Sequence, residues 1–177
     1  VVLVVGAVGG DSGLQIRKYW EMASDLPRMI FVNKLDKENT SYEATVKGIS
    51  KELGGAKVIP LTLPIGENHG FKGIVDLVDM KAYAYDGAGG AREIPVPDEM
   101  MDDSAAAREA IIEAVAELDD ELLERYLEGE PVDEDRITSL LHEGILDGRI
   151  FPVFFGSATA LVGLNVLSSA ITRYMPS

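Results

Sequence analysis

Asn33, Lys34, Leu35 and Asp36 set an amide, an ammonium and a carboxylate within four residues. They follow an apolar run, Met29-Ile30-Phe31-Val32, that reads as a buried strand. An Asn-Lys-x-Asp stretch at the carboxyl end of a strand can read a guanine base. The Asp36 carboxylate would accept two hydrogen bonds, from the ring N–H and the exocyclic amine on one edge of guanine. Adenine offers neither donor there, and a buried acceptor left unpaired discriminates strongly. Lys34 would lay its aliphatic stem over the base, and Asn33 would tie the loop to a neighbouring segment.

A guanine pocket also needs a donor for the base carbonyl. Gly156-Ser157-Ala158 follows another apolar strand, Ile150 to Phe155, and supplies one. The Ala158 N–H would point at the carbonyl, and the Ser157 hydroxyl would orient Asp36. Two strand-end loops on one sheet meet at its carboxyl edge, where open α/β sheets bind ligands.

The strands and helices around these loops follow from patterning. Val1 to Val5 reads as a buried parallel strand. Gly6 to Gly13 reads as a loop with Asp11 or Ser12 as helix cap. Leu14 to Ser24 reads as a helix carrying Trp20, expected in the core, and Arg28 to Val32 as the next strand. Thr40 with Glu43 makes a capping-box pattern. Tyr42, Val46, Ile49 and Leu53 share one helix face, and Gly54-Gly55 ends that helix. Val58–Leu63, Gly73–Val78, Ala82–Tyr85 and Glu93–Val96 then read as short strands of an antiparallel insert. Acidic helices follow. Ile111, Val115, Leu118, Leu122 and Tyr126 form an apolar stripe, with Glu109, Glu113, Glu117, Glu121 and Glu124 on the other side. Gly129-Glu130-Pro131 breaks the run, and Asp133 to Ile145 reads as a further helix. Val162 to Tyr174 reads as a closing helix, with Met175-Pro176-Ser177 beginning a linker. Pro152 predicts that its strand lies at a sheet edge, because proline donates nothing to a ladder. His69 and His142 read as structural or solvated.

Composition sets bounds. The chain has 177 residues, 46% hydrophobic and 26% charged, with no cysteine, so it has neither disulfides nor thiolate metal sites. No apolar run of about 20 residues predicts a membrane span, and no leader pattern opens the sequence; a cytoplasmic location is expected. The net charge is −14, and Asp98 to Asp135 carries all of the excess. An acidic balance speaks against direct nucleic-acid binding.

Four stretches together resemble translation elongation factor G. They are Phe31 to Asp36, Leu63-Pro64-Ile65-Gly66, Phe71 to Val78, and Phe154-Phe155-Gly156-Ser157-Ala158. The likeness covers essentially the whole chain, and its most specific feature is the gap of about 120 residues between the two loops. The resemblance implies an α/β fold: part of a P-loop GTPase sheet, three parallel strands with helices, plus an inserted α+β subdomain of antiparallel strands and acidic helices. Residues 1–63 and 146–177 would belong to the GTPase domain and 64–145 to the insert. Asn33, Lys34, Asp36, Ser157 and Ala158 would hold the guanine of GTP or GDP. The parent protein would be a GTPase acting on the ribosome in translocation, and the insert would meet the ribosomal stalk protein. A release factor, a ribosome-protection GTPase or a non-catalytic stalk-binding module are the alternatives.

What the 177 residues lack narrows this reading. They contain no Gly-x-x-x-x-Gly-Lys-Ser/Thr and no Asp-x-x-Gly followed by a histidine ahead of the first strand. Gly6-Ala7-Val8-Gly9-Gly10 has neither the lysine nor the spacing of a phosphate loop. The expectation is a fragment without phosphate loop, switches or Mg²⁺ ligands, catalytically inactive and at best a sub-millimolar guanosine binder. Thr159-Ala160-Leu161-Val162-Gly163 replaces the lysines the family often carries there, which suggests a diverged paralogue. An open edge at Val1–Val5 would invite self-association.

Overall fold

The computed structural model describes residues 1–7, 13–87 and 90–176. The expected caps Asp11 and Ser12, the stretch Val8-Gly9-Gly10 and Ser177 lie outside them.

The strands are β1 (Val2–Gly6), β2 (Met29–Asn33), β3 (Val58–Pro60), β4 (Thr62–Ile65), β5 (Gly73–Asp76), β6 (Lys81–Tyr85), β7 (Ala91–Ile94) and β8 (Phe151–Phe155). The helices are α1 (Gly13–Met22), α2 (Tyr42–Glu52), α3 (Met101–Ala116), α4 (Asp120–Leu127), α5 (Glu134–Leu146) and α6 (Leu164–Tyr174). One sheet is parallel, in the order β1-β2-β8-β3, and the other is antiparallel, β4-β5-β6-β7. The expected combination of a parallel sheet with an antiparallel insert is present.

Three expectations about strands need correction. The parallel sheet has four strands among the described residues. Val58–Pro60, expected in the antiparallel set, pairs parallel with β8 instead. β8 is interior despite Pro152. The register explains this. Phe151 N–H donates to Lys57 O on the β3 side, so alternate residues face β3, and Pro152 faces β2. Pairing with β2 begins only at Val153, opposite Ile30, so the missing donor falls before the first rung. β1, read as a buried strand, is mostly half-buried or exposed; among the described residues it lies at the sheet edge, in line with the open edge expected at Val1–Val5. Only Val5 of Val1–Val5 is buried, and Val4 is 60% exposed.

The central strands carry the core. Met29 to Val32 and Phe151 to Phe155 are all buried, as expected for strands covered on both faces. Trp20 packs edge-on against Phe151, ring centroids 4.6 Å apart, under the Arg28 guanidinium.

The insert is joined to this core where the chain passes from β3 to β4. Leu61 N–H donates to Val153 O, and Leu77 N–H to Leu61 O. Pro60 ends β3, and Thr62 leaves for the second sheet. Buried Thr62 Oγ1 then accepts the Phe155 N–H at 3.0 Å, so that buried amide is satisfied.

The acidic segment folds as two helices with a break between them. Asp119 caps α4, accepting from the N–H groups of Glu121 and Leu122. Ile111 and Val115 of α3, Leu122 of α4 and Ile137, Leu140, Leu141 and Ile145 of α5 face the core. Glu109, Glu113, Glu117, Glu121 and Glu124 are exposed. Two of them have partners: Glu109 accepts from Tyr126 OH at 2.6 Å, and Glu117 pairs with Lys57.

Candidate functional site

β2 and β8 are adjacent and parallel. Their carboxyl ends therefore emerge side by side, and the loops they launch are in contact. Gly156 N–H donates to Val32 O at 2.9 Å, and Leu35 N–H to Gly156 O at 3.3 Å. Leu35 is buried and pins the first loop to the core.

Gly156 is required by the close approach of the chain to itself. A Cβ there would overlap the Val162 carbonyl oxygen and come within 2.6 Å of Phe31 Cζ. The same segment is closed by mutual backbone hydrogen bonds between Ser157 and Val162, both 3.0 Å.

The structure brings the sequence-selected residues together as follows. Asn33 Oδ1 accepts the Ala158 N–H at 2.9 Å and the Lys34 N–H at 2.8 Å. The side chain of Asn33 thus links the two loops. It also takes the amide that sequence reasoning reserved for the base carbonyl; here that donor points to Asn33. Lys34 is exposed, with a left-handed backbone (φ 69°) that turns the loop back toward the sheet. Ser157 is fully buried. Its hydroxyl lies 3.2 Å from Thr159 Oγ1 and accepts the Ala160 N–H at 3.2 Å.

Asp36 is the centre of the arrangement. Its Oδ2 pairs with Lys37 Nζ at 2.6 Å. Its Oδ1 is buried and has no hydrogen-bond partner among the described residues. Burial pushes its pKa up, but the Lys37 ammonium and the Ser157 hydroxyl outweigh burial and hold it below the usual carboxylate value. The site therefore holds a charged carboxylate whose Oδ1 is unpartnered among the described residues; accepting two donors from a base edge also requires Oδ2 to be shared with or released by Lys37.

Sequence reasoning missed two residues around this loop. Thr40, expected to cap α2, instead turns inward, and Ser41 is the cap, accepting the Ala44 N–H. Thr40 Oγ1 lies 3.2 Å from Leu35 O and 3.1 Å from Lys37 O. Asn68 reaches Thr40 from the far side. No local pattern marks that contact, because the partners are 28 residues apart. His69 Nε2 is 3.3 Å from Glu38 Oε1, both exposed.

Among the described residues no group of three or more His, Cys, Asp or Glu could hold a metal ion. No helix among them is long and apolar enough to cross a membrane.

A parallel sheet, two joined loops at its carboxyl edge and a subdomain inserted between them define the class: an α/β nucleotide-binding domain. The family model for the elongation factor Tu GTP-binding domain matches residues 1–177, and the chain belongs to that family. It is 37% identical over 167 residues to elongation factor G of Mycoplasma genitalium, covering 92% of this chain and 24% of that protein. Identity to elongation factor G of Mycoplasma pneumoniae is 38% over 167 residues, with the same shares of each chain. A solved structure of a protein from Thermus thermophilus matches with a TM-score of 0.85 at 33% identity, covering 99% of this chain and 26% of that one. The chain thus spans about a quarter of the length of the curated relatives it matches.

Proposed function

We propose that these residues form the base-reading half of the nucleotide domain of an elongation-factor-G-like translational GTPase. Asp36 accepts from the guanine edge, Lys34 covers the base, Asn33 joins the loops, and Ser157 and Ala158 complete the pocket. The observation that carries this reading is the buried, unpartnered Oδ1 of a charged Asp36 beside the Gly156–Ala158 loop. For Ala158 to serve the base carbonyl, its N–H must be shared with or released by Asn33.

The test is Asp36→Asn, measured with guanine and xanthine mononucleotides. The substitution replaces an acceptor by a donor. Xanthine carries a carbonyl where guanine carries its amine, so preference should move from guanine to xanthine. An unchanged guanine preference removes Asp36 from the site.

In this reading the parent protein binds GTP and GDP, hydrolyses GTP on the ribosome and works in the cytoplasm. Residues 64–145 act as its inserted subdomain. Phosphate and Mg²⁺ contacts come from residues other than these. The 177-residue protein therefore shows no GTP turnover, because most of the binding and catalytic leverage lies at the phosphates. β1 is the edge of the parallel sheet, and the chain self-associates through it.

A second reading adds to the first: the acidic helices dock the ribosomal stalk protein. A groove of about 380 Å³, lined by Glu109 and Ile112 of α3, Tyr126 and Leu127 of α4, and Glu130 and Val132 beyond it, favours it. Leu127 is 76% exposed there. Charge reversal at Glu109, Glu113 and Glu117, with Leu127→Asp as a second variant, should abolish stalk binding. Unchanged binding makes the stripe a solvated face, as the internal partners of Glu109 and Glu117 would also suit.

A further inference from the structure

The geometry points to Asn68, a residue of the turn between β4 and β5, as a positioning residue for the loop that carries Asp36. The inference rests on the reading of Asp36 as the base acceptor.

The loop is held from inside by Thr40, which is 6% exposed. Its hydroxyl lies within hydrogen-bond distance of Leu35 O and Lys37 O, the carbonyls on either side of Asp36. Asn68 Oδ1 holds Thr40 from outside, accepting its N–H at 3.1 Å and lying 3.3 Å from its Oγ1. One side-chain oxygen of the antiparallel unit thus fixes the residue that closes the base-reading loop.

The turn bearing Asn68 is built to keep that oxygen in place. Gly66 has φ 81°, and a Cβ there would overlap the Gly70 carbonyl. Gly70 N–H donates to Glu67 O, Phe71 N–H to Asn68 O and Lys72 N–H to Ile65 O, at 2.8 to 3.1 Å. Phe71 is buried, so the turn is continuous with the β4–β5 hairpin. Asn68 itself is left-handed, φ 51°, a conformation asparagine tolerates. Glu38 and His69 make a second, exposed contact between the same two loops.

Without the Asn68 acceptor the Thr40 N–H loses its partner, and the hydroxyl, which has one proton for Leu35 O and Lys37 O, is no longer held in place beside them. The carboxylate then samples orientations unsuited to the base, while the sheet stays intact. Guanine affinity is in this way coupled to the inserted unit.

The experiment titrates the 177-residue protein with GMP and AMP, following the Asp36 and Ala158 amide resonances. Asn68→Gly tolerates the left-handed backbone and removes the acceptor; Asn68→Asp keeps one. The protein should prefer GMP over AMP. Asn68→Gly should weaken GMP about fivefold, the equivalent of one hydrogen bond, with dispersed spectra unchanged elsewhere. Asn68→Asp should restore affinity to within about twofold. GMP binding by Asn68→Gly equal to the parent's, alongside its loss in Asp36→Asn, overturns the positioning role and leaves the base site standing. The same holds if Asn68→Asp is as weak as Asn68→Gly. Equal binding of GMP and AMP by the unsubstituted protein overturns both.

Discussion

At the scale of single residues, two side chains and one missing side chain set the site. Asp36 is charged because Lys37 and Ser157 outweigh its burial. A depressed carboxylate stabilises the fold above its unfolded pKa, about 3.9, and that contribution is lost as pH falls through the lower folded value. Base recognition should disappear over the same acid range, measurable by GMP titration at stepped pH. Gly156 leaves no room for a methyl group. Gly156→Ala should destabilise by about 2–3 kcal/mol, since the nearest atom is backbone and cannot turn away; denaturant unfolding measures it. Thr62 takes the buried Phe155 N–H. Thr62→Val keeps the shape and removes the acceptor, and should cost about 1–3 kcal/mol in the same assay.

At the scale of elements, loops and caps decide how the sheet is used. Ser41, not Thr40, caps α2, so Ser41→Ala should cost about 1 kcal/mol by thermal or denaturant unfolding. Thr40 is thereby released to close the Asp36 loop. β8 is interior because its proline precedes the first rung on the β2 side. That placement sets β8 against β2, and it is the reason the Gly156–Ala158 loop touches Asn33.

At the scale of the molecule, the junction between core and insert holds a mostly buried acid. Asp76 accepts the N–H groups of Val78 and Asp79. Burial pushes its pKa up, and the Asp79 and Val78 N–H groups, with Arg173, only partly offset this. A raised folded pKa means stability is full below about pH 3.9 and falls as pH rises through the folded value. Asp76→Asn keeps the acceptor oxygen and sheds the charge. It should raise the melting temperature at pH 7, with the gain vanishing in acid; a pH series of melting curves checks both. At the far side of the sheet, exposed Val4 on edge strand β1 predicts concentration-dependent association. Light scattering showing a monodisperse monomer at high concentration would count against it.

Strands β2 and β8, the helix faces, the Asn33–Asp36 loop and the acidic segment were legible in the residues alone. Each is written in local terms, through apolar runs, periodic stripes and glycines at turns. The sequence also carried the family, through the Asn33–Asp36 and Gly156–Ala158 stretches and the distance between them. Strand order was a different matter. Val58–Pro60 is short and ambiguous, and only pairing with β8 assigns it to the parallel sheet. Pro152 misled because a proline's effect depends on which side of the strand it faces, a property of register and not of composition. Only the tertiary structure showed that the Ala158 amide is taken by Asn33, and that Asn68 grips Thr40 across 28 residues. Hydrogen bonds between distant segments leave no periodic mark on the chain. They exist because the folded sheet brings together groups that must be satisfied once water is excluded.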